Sequence, residues 1–263
     1  MSSAVQWWLG MGAWVGLIYT WIVFKPMIQG VFFRGMGRRE VRWELPEVMA
    51  VVMLVCFLLL GFALGEQEEE KVTVDLIVRG ILSYIFLLFF IFCWFWFRKK
   101  EVRDYLGLTF GKTKLLDYFK WVLGVLPPVM FTQFLVTIFV GKVEAQAAIR
   151  FLAENSGWWE RMLILLLAGV IAPVVEEILF RGWIYGVARD YGGKFAAMVV
   201  TSLLFALIHD QAMYFWGLFV FGLMLVIIYE YTGSLWASVA VHSGFNMISV
   251  LLTILWPELV LGT

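Results

Sequence analysis

Four long runs of residues without charge restrict this chain to a membrane fold. They are residues 1–24, 48–65, 80–97 and 121–141. Each run is near or above the ~18–20 residues with which an α-helix crosses a hydrocarbon core of ~30 Å. Such a segment has to be helical because lipid offers no partners to free backbone groups. No charged residue precedes the first run, so we expect Met1–Phe24 to be a retained span and not a signal peptide.

The composition supports the same fold class. Hydrophobic residues make up 62% of the 263 residues and charged residues only 15%, which is too little polar surface for a soluble domain of this length. The formal net charge is zero, so electrostatics give no reason to expect a nucleic-acid partner. Membrane lipids are the expected surroundings.

We predict an all-α polytopic transmembrane bundle that forms one integral membrane domain over residues 1–263. It should contain about eight spans, with residues 1–150 holding the N-terminal spans and an amphipathic cytoplasmic loop. The predicted spans are roughly 5–24, 48–65, 80–98, 121–141, 162–187, 195–210, 212–230 and 234–256.

The charges of the loops predict the orientation in the membrane. Basic residues fill the first and third loops and acidic residues fill the second, so the positive-inside rule places the first and third loops in the cytoplasm and both termini outside. Three basic residues of the fourth loop lie on the predicted outer side and weaken this interpretation. The segment Glu101–Lys120 mixes charge with leucine, and both an interfacial amphipathic stretch and a simple loop fit it. The residues used are Lys25, Arg34, Arg38, Arg39, Arg42, Glu66, Glu68, Glu69, Glu70, Arg98, Lys99, Lys100, Arg103, Lys112, Lys114, Lys142, Arg150 and Arg161.

Unlike the first half, the second half of the chain carries ionisable and amide side chains inside its predicted spans. A charged residue at the centre of a membrane helix costs roughly 2.5–3.5 kcal/mol, so such residues are rare unless they are paired or functional. Both histidines of the chain belong to this group. The group consists of Glu176, Glu177, Arg181, His209, His242 and Asn246.

These side chains are predicted to lie at a similar depth on three helices. With a rise of ~1.5 Å per residue, Glu176 lies ~20 Å from Arg189 and His209 lies ~22 Å from Lys194, where Arg189 and Lys194 mark the inner edge. From Gly233 at the next inner edge, the last span reaches the same depth range, ~14–20 Å. We therefore expect one polar pocket.

Helical spacing orders the side chains within that pocket. Glu177 and Arg181 are four residues apart on one helix face and can form an ion pair, which leaves Glu176, ~100° around the helix, freer to act. Phe205 is four residues before His209 and can shield its ring, and His242 and Asn246 share a face in the same way. Pro173 should distort the helix just before the glutamates and free a backbone group, although proline is also simply common in membrane helices.

The residue types suit peptide hydrolysis. A carboxylate in apolar surroundings suits a general base working near neutral pH, and Glu176 with His209 could hold and activate a water. His242 and Asn246 could donate hydrogen bonds to the oxygen that gains charge in a tetrahedral intermediate. Glu176, His209 and His242 are also acceptable zinc ligands, so a zinc site stays open as a minor alternative to a site without cofactor.

Other protease chemistries and other classes of protein fit the sequence less well. The chain has no H-E-x-x-H motif, no G-x-S-x-G motif and no pair of membrane-embedded aspartates. A polar network that only joins helices would account for one buried polar residue better than for six. A proton-coupled transporter is the main functional competitor, since Glu and His chains serve there too, and the lack of an internal repeat argues mildly against it.

Three motifs in the second half resemble those of the CAAX protease and bacteriocin-processing (CPBP) family of intramembrane glutamate endopeptidases, which includes the type II CAAX prenyl endopeptidases. Residues 176–181 are similar to its E-E-x-x-x-R motif, residues 205–209 to F-x-x-x-H and residues 242–246 to H-x-x-x-N. The motifs occur in the family's order and indicate a catalytic core over residues 160–250. Residues 104–108 are similar to a stretch often seen before that core.

The resemblance implies a metal-independent, glutamate-dependent endopeptidase that cuts a peptide or protein substrate, including a membrane-anchored one. It implies that Glu176 and His209 activate water and that His242 and Asn246 hold the oxyanion. Glu177 and Arg181, with Phe205, would shape the site. Eukaryotic members trim prenylated CAAX proteins in the ER membrane, and bacterial members in the cell membrane serve peptide maturation, bacteriocin immunity and signalling. A member that has become a non-proteolytic scaffold or immunity protein is the alternative within the family.

Overall fold

A computed structural model describes residues 3–33, 41–64, 72–109, 113–140, 147–154, 157–209 and 213–257. These ranges contain helices and turns but no β-strand, which confirms the all-α fold class. In chain order the helices are α1 (Ser3–Phe33), α2 (Leu45–Leu64), α3 (Val74–Phe97), α4 (Val102–Leu106), α5 (Leu115–Val140), α6 (Ala147–Glu154), α7 (Trp158–Leu166), a first π-helical segment π1 (Leu167–Ile171), α8 (Ala172–Glu177), a second π-helical segment π2 (Ile178–Ile184), α9 (Tyr185–Leu207), α10 (Phe215–Thr232) and α11 (Leu235–Leu255).

Within the described ranges, six helical runs are long and apolar enough to cross a membrane, and the apolar part of α2 over Leu45–Leu60 is shorter. One of the six, Trp158–Leu207, has 50 residues and would be ~75 Å long if straight, enough for two crossings. Gly193 breaks it with a φ of 75°, a conformation that glycine adopts without steric cost. The rings of Phe180 and Phe205 lie 5.4 Å apart across this break, so the chain turns back at Gly193 and makes both predicted spans. The chain is a multi-pass membrane protein, and its helices fit the expectation of about eight spans.

The C-terminal helices form the centre of the bundle and the N-terminal helices surround them. Half of the membrane window of α10 is buried inside the protein, compared with 11% for α3. The outer helices expose large apolar side chains such as Phe57, Phe86 and Phe139. Because a hydrocarbon surrounding makes such exposure favourable, these faces are lipid contacts.

Two helices start before their predicted spans, because a helical turn with charged residues precedes the apolar run in each. Thr73 caps the first turn of α3 by accepting a hydrogen bond from the Leu76 N–H, so this helix starts six residues before the predicted span. The extension takes in Asp75 and Arg79, which form an exposed ion pair four residues apart. Similarly, α5 starts at Leu115, which places part of the predicted amphipathic loop in a transmembrane helix.

The described part of that loop before α5 packs against the bundle. The side chain of Leu106, at the end of α4, is fully buried. Gly107 has a φ of 68° and its carbonyl accepts a hydrogen bond from the Leu235 N–H over 2.8 Å. The Tyr229 hydroxyl donates to the Leu106 carbonyl over 3.2 Å. The segment therefore packs over the junction of α10 and α11, and its position relative to the membrane interface stays a prediction.

Two buried glutamates that the sequence interpretation did not single out hold neighbouring helices together. Glu230 of α10 is fully buried, and Arg189 Nε and Lys194 Nζ lie 3.3 and 3.6 Å from its carboxylate. Glu47 of α2 is fully buried and accepts a hydrogen bond from Arg98 Nε over 2.8 Å. Both clusters involve basic residues assigned to the predicted inner edge. The charges of residues 34–40, 65–71, 110–112 and 141–146, on which much of the predicted orientation rests, lie outside the described residues.

Candidate active site

The two adjacent glutamates sit on a short α-helical turn between two π-helical segments. In π1 the Ala172 N–H donates to the Leu167 carbonyl, five residues back. The next bond in this register would join residue 173 to the Ala168 carbonyl, but Pro173 has no N–H. The Ala168 carbonyl is therefore left without a donor from its own helix. The distortion predicted at Pro173 is confirmed, and it frees a backbone acceptor.

The freed carbonyl is used by the last helix. Asn246 of α11 donates from Nδ2 to the Ala168 oxygen over 2.8 Å. Because an amide nitrogen carries two hydrogens, the second one stays available for another acceptor. The bond fixes the side-chain amide of Asn246 relative to the helix that carries the glutamates.

The predicted ion pair is present and belongs to a buried network. Arg181 Nη1 donates to Glu177 Oε1 over 2.8 Å, and both side chains are at most 1% exposed. Arg181 Nη2 donates to the Gly222 carbonyl over 3.2 Å, and the guanidinium lies over the Phe205 ring, 4.5 Å from its centroid. A buried charge left unpaired would cost several kcal/mol, so these contacts allow Arg181 to lie inside the bundle.

His242 shares the carboxylate of that ion pair. Its Nδ1 lies 2.9 Å from Glu177 Oε1, and since a carboxylate only accepts, Nδ1 carries the hydrogen. The ring packs edge-on against Phe221, with centroids 5.0 Å apart. The bond to Glu177 and the packing on Phe221 fix the orientation of the His242 ring. Its Nε2 is not used in either contact.

His209 is held by a similar arrangement in the turn that follows α9. Its Nδ1 lies 2.6 Å from the Phe205 carbonyl, which can only accept, so Nδ1 is again the protonated nitrogen. The ring lies on Phe205 with centroids 4.5 Å apart, as the spacing of four residues predicts. The His209 side chain is 28% exposed, compared with 10% for Glu176 and 3% for His242.

The free nitrogens of both histidines converge on one oxygen of Glu176. His209 Nε2 and His242 Nε2 each lie 3.8 Å from Glu176 Oε2. That spacing is too long for a direct hydrogen bond. The three side chains come from α8, from the turn after α9 and from α11. The structure thus brings together Glu176, His209 and His242, three of the residues predicted to meet.

One contact to Glu176 comes from outside the predicted core. The Tyr84 hydroxyl of α3 donates to Glu176 Oε1 over 2.7 Å. The sequence interpretation missed this residue, because a single hydroxyl in an apolar run is a weak signal. The sequence signal that could have identified Tyr84 is a polar hydroxyl within the uncharged run 80–97, which has few polar side chains. Asp210, the neighbour of His209 whose role the sequence left open, lies outside the described residues.

Comparison with known proteins supports the family resemblance. Residues 157–248 match the model of a family described as type II CAAX prenyl endopeptidase Rce1-like. The match contains all three motifs and begins at the first residue before α7. It leaves out the N-terminal helices, including Tyr84.

Three relatives are similar over different shares of the chain. UPF0177 protein YxdF of Lactococcus lactis subsp. lactis is 26% identical over 170 residues, 63% of this chain and 90% of that protein. UPF0177 protein YbdI of the same organism is 30% identical over 116 residues, 43% of this chain and 60% of that protein. A protein of Bacillus subtilis named "Putative membrane peptidase YdiL" is 23% identical over 90 residues, 34% of this chain and 37% of that protein. No solved structure matches significantly. At the level of the family, the comparisons support a membrane protease.

Proposed function

We propose that this relative of the Rce1-like endopeptidases hydrolyses a peptide bond within the membrane, with Glu176 as the general base. The placement of His209 Nε2 and His242 Nε2, each 3.8 Å from Glu176 Oε2, carries the proposal. A water between Glu176 Oε2 and His209 Nε2 can donate a hydrogen bond to each, which orients its oxygen for attack. Placement inside an apolar bundle strengthens these interactions relative to bulk water.

In the first step Glu176 takes a proton from the water while the water oxygen bonds to the scissile carbonyl carbon. The carbonyl oxygen then carries the negative charge of a tetrahedral intermediate. In the second step the C–N bond breaks and the proton held by Glu176 passes to the leaving amine. The products are a carboxylic acid and an amine, and Glu176 returns to its starting state. His209 holds the water and keeps its ring orientation through the Phe205 carbonyl.

His242 and Asn246 are proposed as donors to the oxyanion. The Nδ1 hydrogen of His242 is already used by Glu177, so Nε2 can donate only when the ring is doubly protonated. The Glu177 carboxylate, shared with Arg181, is placed to stabilise that imidazolium. Asn246 has its second amide hydrogen free for the same oxygen. Loss of one such donor typically costs about 100–1000-fold in rate.

The reaction is proposed to need no metal ion. Among the residues that the structure describes, no group of three His, Cys, Asp or Glu side chains is arranged to hold one. Zinc held by Glu176 and the two histidines is the alternative, since their atom types are acceptable ligands. Treatment with a chelator decides between the two: activity that is lost and then restored by zinc would show a zinc enzyme.

The substrate is proposed to be a peptide or protein segment that reaches the site from the membrane, such as a membrane-anchored one. A site surrounded by apolar helices excludes bulk water, and the half-buried His209 is its most exposed histidine. The cell membrane is the proposed location. Prenylated CAAX proteins are expected substrates only in a eukaryotic host.

The test compares cleavage of a peptide library by purified protein in lipid vesicles. Wild type should cut a subset of peptides, and Glu176→Gln, which keeps the shape but not the basicity, should lower the rate by about a thousandfold or more. Glu160→Gln at the start of α7 is the matched control and should keep full activity. Cleavage that survives Glu176→Gln would overturn the proposal. Absence of any cleavage, with a cellular function that survives Glu176→Ala, would favour a non-proteolytic scaffold or immunity protein.

A further inference from the structure

Tyr84 reaches the proposed site from a helix that precedes the family match. It lies in α3, one turn after Gly80, where a side chain would contact Leu167 of π1 at 3.5 Å. This close approach of the two helices brings the Tyr84 ring beside α8. Its hydroxyl then donates to Glu176 Oε1 over 2.7 Å. The donor is neutral and the acceptor is a carboxylate, which makes this one of the stronger kinds of hydrogen bond.

We propose that Tyr84 is a positioning residue that decides which oxygen of Glu176 does the chemistry. A carboxylate has two equivalent oxygens, and rotation about its last side-chain bond exchanges them at little cost. The bond from Tyr84 occupies Oε1 and fixes the plane of the carboxylate. Oε2 is then the oxygen that faces His209 Nε2 and His242 Nε2. The inference rests on the proposed role of Glu176 as the base.

The polar partners of Glu176 explain why a donor from α3 is needed. Arg181 is already committed to Glu177 and to the Gly222 carbonyl, and His242 donates from Nδ1 to Glu177. The two Nε2 atoms stand too far from Glu176 for direct bonds. Among the described residues, Tyr84 therefore supplies the direct hydrogen bond to the Glu176 carboxylate. Without it, a water between Glu176 Oε2 and His209 Nε2 would meet a base that rotates.

The experiment uses Tyr84→Phe, which removes the hydroxyl and keeps the ring. The kcat for a cleaved library peptide should fall about tenfold while KM changes less than twofold, because the change affects the base and not the peptide contacts. Tyr19→Phe is the matched control: its hydroxyl donates to the Lys120 carbonyl over 3.3 Å, away from the site, and its loss should leave kcat unchanged. An unchanged kcat in Tyr84→Phe, or an equal fall in both variants, would overturn the inference.

A second measurement separates this inference from the proposed function. Tyr84→Phe should lower the unfolding temperature in the wild-type background and have no effect in a Glu176→Ala background, because the two groups then no longer interact. Equal effects in both backgrounds would contradict the Tyr84–Glu176 bond by itself. A wild type that cuts nothing while the coupling is present would instead contradict the protease function and leave the contact established.

Discussion

Asn246 bonds through its side-chain amide to the main-chain carbonyl of Ala168, 78 residues earlier in the chain. The acceptor is available because the wide turn of π1 directs the neighbouring N–H to Leu167 and because Pro173 offers none. A proline in one helix thus controls an amide in another. The orientation of Asn246, a proposed oxyanion donor, therefore depends on the absence of an N–H at Pro173.

Replacing that proline tests the relationship. In Pro173→Ala the new N–H can donate to the Ala168 carbonyl and compete with Asn246. The cleavage rate should fall about tenfold, while the free energy of unfolding should stay equal or rise, since proline within a helix costs up to ~3 kcal/mol. Cleavage assays and thermal unfolding measure the two effects. Pro128→Ala in α5 is the control and should keep full activity; a fully active Pro173→Ala would contradict the idea.

The buried pair of Glu177 and Arg181 should respond differently to single and double replacement. Arg181→Met leaves a buried carboxylate without its cation and should lower the free energy of unfolding by about 3–5 kcal/mol. Glu177→Gln together with Arg181→Met removes both charges and should recover much of that loss. The double variant should still be inactive, because His242 loses its carboxylate partner.

Chemical unfolding in detergent measures the series, and Arg79→Met is its matched control. Arg79 pairs with Asp75 at the same spacing on a helix, but the two side chains are 72% and 67% exposed. Its removal should change stability by less than about 1 kcal/mol. A loss in Arg79→Met as large as that in Arg181→Met would show that burial is not the cause.

The left-handed turn at Gly107 should tolerate no side chain. An alanine at this position would have to adopt the left-handed φ, which costs about 1–2 kcal/mol. Its Cβ would also lie 2.7 Å from the Tyr229 hydroxyl oxygen, too close for an ordinary contact. We expect Gly107→Ala to lower the free energy of unfolding by about 2–4 kcal/mol. Gly192→Ala is the control, because its Cβ would meet only the Ala196 Cβ at 3.8 Å. Equal unfolding temperatures for the two variants would refute the docked turn.

Acid stability should depend on Glu44, outside the membrane-spanning helices. A hydrogen bond from Lys100, supported by Arg98, holds the pKa of the Glu44 carboxyl below its ordinary value of 4.5. A lowered pKa gives stability that is present above about 4.5 and is lost as the pH falls through the folded-state value. Glu44→Gln should lower the unfolding temperature at neutral pH and flatten its decline below pH ~4.5. Glu101→Gln, an exposed carboxylate of the same region, should leave the curve unchanged.

Periodicity and insertion cost were enough to predict the helices and the polar pocket. Uncharged runs located the spans, and depth counting placed Glu176, His209 and His242 together because helices advance by a fixed rise. Spacing of four residues identified the contacts of Glu177 with Arg181 and of Phe205 with His209. These are consequences of regular helix geometry.

The missed features depend on how helices rotate and pack against one another. Tyr84 contacts Glu176 only because α3 turns that face toward α8, and hydropathy does not report rotation in a run that is apolar all round. Glu230 and Glu47 lie near span ends, where charge is expected anyway, so their burial gave no signal. The docked turn at Gly107 depends on a partner more than a hundred residues away.

The π1 segment is the place where this helix can lose a residue without changing its packing. A wide turn absorbs one residue more than an α turn, so the helix on either side keeps nearly the same phase. Deleting one residue within Leu167–Ile171 would let the backbone return to ordinary α pitch and would look harmless by hydropathy. The flanking helices would stay nearly in phase, but the wide turn that directs the Ala172 N–H to Leu167 would be lost, and with it the free Ala168 carbonyl to which Asn246 donates. A deletion at this point should therefore impair the site through the orientation of Asn246, with little effect on how α7 packs.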